Sequence, residues 1–271
     1  MRLAVTTFAT DLTTPIPELA REVEARGFSG LYLPEHTHIP VSRRTPPAAG
    51  QQTLPEDYSR TLDPLVALSF AAAVTSRITL GTGILLAAQR DPIVTAKAIA
   101  TLDHLSGGRV SLGVGFGWNV EEIENHGVPF ADRRAVGREH VLAMRALWER
   151  DEAGFDGAHV AFEPSWSWPK PVGRVPIYLG GAAGPGLFAQ IAEYADGWMP
   201  FGGKGVGKAL PALAEACAER GRPIASVIPF GSYPDPGKLE YFASLGIEEV
   251  ILHVPADRDV RATLDDYARY L

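Results

Sequence analysis

The chain has 271 residues, long for one β-sandwich and close to the ~250 typical of a single (β/α)8 barrel. Hydrophobic residues make up 46% and charged residues 21%, with a net charge of −7 and a pI near 5.5, which argues against a nucleic-acid or membrane-surface binder. The longest apolar run, 65–74, is broken by Ser69 and falls far short of the roughly 20 residues that span a bilayer.

The first residues read directly as a strand, so no signal segment and a cytoplasmic location are expected. A first strand over 3–8 leads to an amphipathic helix over 16–26, stopped by Gly27, and a second strand over 30–33. That strand runs into Pro34-Glu35-His36-Thr37-His38. Residues 40–62, rich in proline, form a loop too long for a plain connector; a lid over the site, with Tyr58 among its contacts, is expected. Asp63-Pro64 then opens a helix over 65–75.

The stretch 77–118 organises the chain. Residues 78–86 form an apolar strand containing Gly81 and Gly83. Pro92 starts a helix whose apolar residues, Ile93, Ala96, Ile99, Ala100 and Leu105, recur at helical spacing, and Gly107-Gly108 ends it. A strand over 110–115 follows, completing a right-handed βαβ unit and implying a parallel sheet. Gly81, Gly83, Gly113, Gly115 and Gly117 lie in or just after strands, where glycine weakens a sheet. Tight packing in a small barrel explains each alone. Their clustering at strand ends favours a flat ligand lying there, although the run from Gly113 lacks the G-x-G-x-x-G spacing of a dinucleotide site.

A helix over 133–151 precedes an irregular stretch, 154–174. Strands over 175–179, 195–200, 225–231 and 249–253 then alternate with helices over 185–194, 208–220 and 236–245, and a last helix begins at Asp259. Eight strands alternating with helices and no linker indicate one domain, 1–271, a (β/α)8 barrel with long loops at the strands' carboxyl ends.

In such barrels the site lies at those ends. The rule selects Phe8, Glu35, His36, Gly83, Ile84, Gly115, Gly117 and the loops after 179 and 200. Gly180-Gly181-Ala182-Ala183 opens a helix, whose free N–H groups suit a phosphate, and a second glycine loop with Gly203 and Lys204 follows on the next strand. His36 can hydrogen-bond a ligand or act as general acid near neutral pH, or simply brace its loop. Metal binding lacks a ligand pattern, and no G-x-S-x-G elbow occurs. Cys217, the only cysteine, lies on an apolar helical stripe with Leu210 and Leu213 and reads as a buried thiol. A glycosidase pair has only Glu35 and Glu121/Glu122 to draw on.

Leu33-Pro34-Glu35-His36, LGTGILL from Leu80, LDHLSGGRVSLGVGFGW from Leu102, PIYLGG from Pro176 and DGWMP from Asp196 together resemble the bacterial-luciferase-like flavin and deazaflavin oxidoreductases, over essentially the whole chain. The LSGGR run and Val128-Pro129-Phe130 with Arg133 look most like members that use coenzyme F420, an 8-hydroxy-5-deazaflavin. The resemblance implies hydride transfer between F420 and a small organic substrate, with an FMN-dependent monooxygenase or a non-catalytic cofactor-binding barrel as alternatives. It implies catalytic roles for His36 and Glu35. It places the cofactor against Gly83, Ile84, Gly115, Gly117, Gly180, Gly181, Ala182, Ala183, Gly203 and Lys204, and the substrate among Phe8, Tyr58 and Trp118. It further implies a homodimer, and a non-proline cis peptide at Gly83-Ile84 pressed against the ring. Some deazaflavin dehydrogenases carry a proton-donating glutamate after this Gly-x-Gly turn; here the position is Trp118, which suits stacking or walling the pocket.

Overall fold

In the computed structural model, which describes residues 1–41, 45–46 and 53–271, strands and helices alternate from the first residues on. The strands are β1 (Arg2–Thr6), β2 (Gly30–Leu33), β3 (Thr79–Leu86), β4 (Val110–Gly115), β5 (Ala153–Asp156), β6 (Ala161–Ser165), β7 (Ile177–Gly180), β8 (Gly197–Met199), β9 (Ser226–Val227), β10 (Phe230–Ser232) and β11 (Glu249–His253). The helices are α1 (Ile16–Ala25), α2 (Asp57–Arg60), α3 (Pro64–Ala72), α4 (Pro92–Ser106), α5 (Val120–Asn125), α6 (Arg133–Glu149), α7 (Pro185–Tyr194), α8 (Val206–Ala218), α9 (Pro236–Ser244) and α10 (Val260–Ala268). Proline at the first turn of α3, α4, α7 and α9 supplies a preset φ where no N–H is needed. Asp63, Asp91 and Asp235 cap α3, α4 and α9 by accepting backbone N–H bonds. Gly107, in the left-handed region at φ 72°, ends α4.

Nine strands form one parallel sheet, ordered β10-β11-β1-β2-β3-β4-β7-β8-β9. Its two ends are pieces of one stretch, 226–232, parted at Pro229, which has no N–H for a ladder. β9 pairs with β8, β10 pairs with β11, and Phe230 N–H donates to Pro200 O at 3.0 Å, so the sheet curls into a TIM-barrel-like fold. The strand expected over 225–231 is therefore two short ones. The expected irregular stretch 154–174 contains instead most of the antiparallel hairpin β5–β6, held by Glu139, which accepts N–H bonds from Ala158, His159 and Val160 at 2.7–3.0 Å.

One large core cluster fills the space between the sheet and its helices. A second, of Ala4, Tyr32, Met199, Ile228 and Ile251, fills the barrel, with Ile84, Tyr178 and Phe230 packed on it. Glycines make room for these inner side chains. A Cβ on Gly81 would lie 2.1 Å from the Tyr32 ring, and one on Gly197 2.4 Å from that of Tyr178. Among the described residues, no helix is long and apolar enough to cross a membrane. Cys217 is buried, as expected.

Candidate active site

Strand register sets the ring of residues at the mouth. Thr6 pairs with His253, Leu33 with Thr82, Leu86 with Gly115, Gly180 with Met199, and Phe201 bridges Phe230. The peptide Gly83–Ile84 is cis, and the register between β3 and β4 shifts there, between Thr82 and Leu85.

The glycines of this region serve Ile84. A Cβ on Gly113, Gly115 or Gly180 would lie 2.6, 2.7 or 2.4 Å from the Ile84 side chain, far inside van der Waals contact. Gly117, at φ 73°, turns the chain over Ile123, whose Cδ1 would be 2.6 Å from an added Cβ. Of the five glycines expected to open the backbone to a flat ligand, Gly81, Gly113, Gly115 and Gly117 have the space beside them filled by side chains, and so does Gly180, expected in the phosphate loop. What reaches the mouth is the half-buried Ile84 that Gly113, Gly115 and Gly180 seat. At Gly83 an added Cβ would make only ordinary contacts, the nearest at 3.4 Å.

Glu35 and His36, adjacent in sequence, do different work. The Glu35 carboxylate is buried; one oxygen accepts Leu86 N–H at 2.6 Å, the other Arg90 Nε–H at 2.6 Å. Arg90 also binds Asp63 at 2.6 Å, and Asp63 caps α3. Burial pushes the Glu35 carboxyl up, while Arg90 and the Leu86 N–H oppose the shift. With both oxygens committed, Glu35 ties β2 to the end of β3. The carboxylate expected to be catalytic thus has both oxygens engaged by Leu86 and Arg90.

His36 turns towards the mouth. Its Nδ1 lies 2.9 Å from Oε2 of Glu122, a buried carboxylate on α5, and its Nε2 has no partner among the described residues. Its ring centroid is 5.0 Å from that of Tyr58 and 6.1 Å from that of Trp118; Tyr58 and Trp118 meet edge-on at 6.1 Å, and Phe8 lies 4.7 Å from Tyr58. The three residues expected to line a substrate pocket thus gather around His36. Tyr58 comes from α2, in the expected lid. That segment is fastened beyond β1 by the Thr10–Thr61 bridge, by Leu62 N–H to Ala9 O at 2.9 Å and by Arg60 to Asp11 at 2.8 Å. Its near end is tied to α5 by Thr45 Oγ1–H to Glu121 at 2.7 Å. Residues 42–44 and 47–52 of the expected lid lie outside the described residues.

On the far side, β7 and β8 end in glycine loops; Gly181, Ala182, Ala183, Lys204 and Gly205 are exposed, whereas Gly203 is buried beside the Phe242 ring. The Trp198 indole N–H donates to Gly181 O at 3.0 Å, which fixes the first loop and leaves the N–H groups of Ala182, Ala183 and Gly184 without acceptors among the described residues. In the second loop Gly202 N–H is spent on Phe230 O at 2.7 Å, whereas those of Gly203 and Lys204 have no acceptor among the described residues; Lys204 is exposed and makes no ion pair among them. Gly181, Gly202, Gly203 and Gly205 all have positive φ, as anion-cradling loops require.

Sequence reasoning missed Glu122 as the partner of His36. Its signal was local only: a carboxylate opening a helix after the Gly-x-Gly turn. A glycosidase pair is not assembled, since Glu35 and Glu122 are each bound to a residue of the scaffold. Among the described residues no cluster of three or more His, Cys, Asp or Glu could hold a metal.

The mouth of the parallel barrel thus carries an imidazole, an aromatic wall and two glycine loops. The family model described as luciferase-like monooxygenase matches residues 7–233, and the chain belongs to that family. An uncharacterized protein of Mycobacterium tuberculosis (strain ATCC 25618 / H37Rv) is 45% identical over 276 residues, covering 100% of this chain and 96% of its own length. An F420-dependent glucose-6-phosphate dehydrogenase of Nocardia farcinica is 41% identical over 173 residues, covering 59% of this chain and 51% of the relative. Among solved structures, an F420-dependent secondary alcohol dehydrogenase in complex with an F420–acetone adduct superposes with a TM-score of 0.81 at 18% identity, over 100% of this chain and 98% of the other. The monooxygenase RslO1 of Streptomyces bottropensis gives 0.79 at 18%, with the same coverage. These structures bear on the fold.

Proposed function

We propose that the chain is a single-domain, F420-dependent oxidoreductase that transfers a hydride between the deazaflavin and a small, apolar or aromatic organic substrate. Counting β9 and β10 as one stave gives the barrel eight staves, with the site built on loops inserted at their carboxyl ends. The observation that carries this reading is the Nε2 of His36, without a partner among the described residues and set among Phe8, Tyr58 and Trp118 on one side of the mouth, with two loops on the other whose N–H groups have no acceptor among the described residues. Such a site suits a flat ring with a phosphate on its side chain. Ala182, Ala183, Gly203 and Lys204 would hold the phosphate; Ile84 and the cis peptide would back the ring.

When bound, a deazaflavin supplies two-electron hydride chemistry at a ring carbon. The chain's residues then bind, orient and exclude water, and His36 gives or takes a proton at Nε2 as the substrate changes charge. Identity to F420-dependent dehydrogenases across half the chain supports F420 over FMN.

Titrating the apo-protein with F420 and with FMN, followed by oxidation of reduced F420 against a panel of acceptors, tests the reading. Tight F420 binding with turnover is expected. FMN binding that excludes F420 would make the chain a flavin monooxygenase instead, and F420 binding without turnover on any acceptor would favour a carrier.

We further propose a homodimer, formed through α3 and α4. α3 is apolar on all sides; Val66 and Phe70 are each 60% exposed, and on neighbouring α4 Val94 is 67% exposed.

A further inference from the structure

We propose that Glu122 is a positioning residue that fixes the tautomer of His36, holding the proton on Nδ1 so that Nε2 is the nitrogen offered to whatever enters between Tyr58 and Trp118. The inference deepens the proposed function and rests on His36 working at that mouth.

The first ground is where Glu122 sits. Asn119 is the N-cap of α5, and Glu122 is three positions further on, the spacing of a capping box, in which a glutamate reaches back to the N–H of the cap residue. Here the Asn119 cap makes no side-chain hydrogen bond, and the Glu122 carboxylate goes to His36 at 2.9 Å instead. A helix-capping group has been diverted to an imidazole 86 residues away.

The second ground is burial. Glu122 is 1% exposed, its Oε1 has no partner among the described residues, and the buried amide of Asn119, three residues before it, likewise has none among them. A carboxylate desolvated to that degree is costly unless its hydrogen bond is kept, so its bond to Nδ1 is the one it holds. An imidazole committed in this way at Nδ1 can take a proton at Nε2 from a substrate O–H or N–H, the electron pair staying on the heteroatom, and return the proton in the reverse direction. The bond that Nδ1 makes decides which nitrogen does this.

The test reads the imidazole itself, on the protein without cofactor, so it is independent of whether F420 binds. Long-range ¹H–¹⁵N spectra of ¹⁵N-histidine-labelled protein are recorded, with His36 assigned by its absence from His36→Ala. The neutral wild-type ring is expected as the Nδ1–H tautomer with an exchange-protected proton. Glu122→Ala is expected to lose that proton signal and populate the Nε2–H form, and Glu122→Asp to restore part of it. An Nε2–H ring in the wild type would overturn the proposal even if no variant folds. So would an unchanged tautomer in a Glu122→Ala protein with native near-ultraviolet circular dichroism. A tautomer that depends on Glu122, in a protein that ignores F420, would keep the pair and remove the cofactor reading.

Discussion

His36 and Glu35 share a backbone turn and differ in what their side chains can reach. His36 keeps one ring nitrogen without a partner among the described residues, so His36→Ala removes a proton carrier, and it also takes from the buried Glu122 carboxylate its hydrogen bond. Turnover of F420 is expected to fall by about 10²–10⁴-fold, with cofactor affinity little changed because the anion loops lie on β7 and β8. Binding and single-turnover rates measured on one sample separate this from a bracing role, in which affinity and turnover would fall together. Glu35 predicts the opposite pattern. Its carboxylate is buried against Arg90, so Arg90→Met strands it and is expected to cost about 3–5 kcal/mol of stability. Urea unfolding checks that loss; a midpoint equal to that of the wild type would show that the clamp bears no load.

Around β3 and β4 the packing is one branched side chain seated on three glycines, and the three are not equivalent. At Gly115 an added Cβ meets the far end of Ile84 at 2.7 Å, an atom that can swing away. At Gly113 it meets the backbone oxygen of Thr82 at 2.4 Å as well as Ile84 and Met199. Gly115→Ala is thus expected to cost about 1–3 kcal/mol, and most of that should vanish in an Ile84→Ala background. Gly113→Ala should cost more and should not be relieved by Ile84→Ala. A urea-unfolding double-mutant cycle reads both differences; equal relief at the two positions would contradict the contact assignment. The same glycines show what a sequence can carry. Strand–helix alternation and the proline and aspartate helix starts are local signals, and they were legible. The neighbour of a glycine comes from another strand, so Ile84 over Gly113 and Gly180 was not, and vacancy was read where there is packing. Glu122 escaped for the same reason, since nothing near it in the chain names His36. The hairpin β5–β6 was hidden because its anchor, Glu139, lies on the preceding helix.

For the whole molecule the open question is what covers the outside of α3. Leu65, Leu68 and Ala71 of this helix enter the core, while Val66 and Phe70 leave its other side, each 60% exposed. A helix apolar on both faces is ordinarily buried on both. On the adjoining α4, Ile93 is 45%, Val94 67% and Leu105 74% exposed, so the apolar surface runs across two helices. A second copy meeting it about a twofold axis would bring like residues together. The expected wild-type species in sedimentation equilibrium is a dimer. Phe70→Glu would put a carboxylate into that contact on both copies and is expected to yield monomers. Phe70 is seven residues beyond Asp63, the end of the helix that touches the Glu35–Arg90 clamp, so the monomeric variant should still bind F420. A wild-type monomer, or a Phe70→Glu protein that remains dimeric, would place the contact elsewhere; a variant that is monomeric and has lost F420 binding would instead show that the dimer helps to build the site.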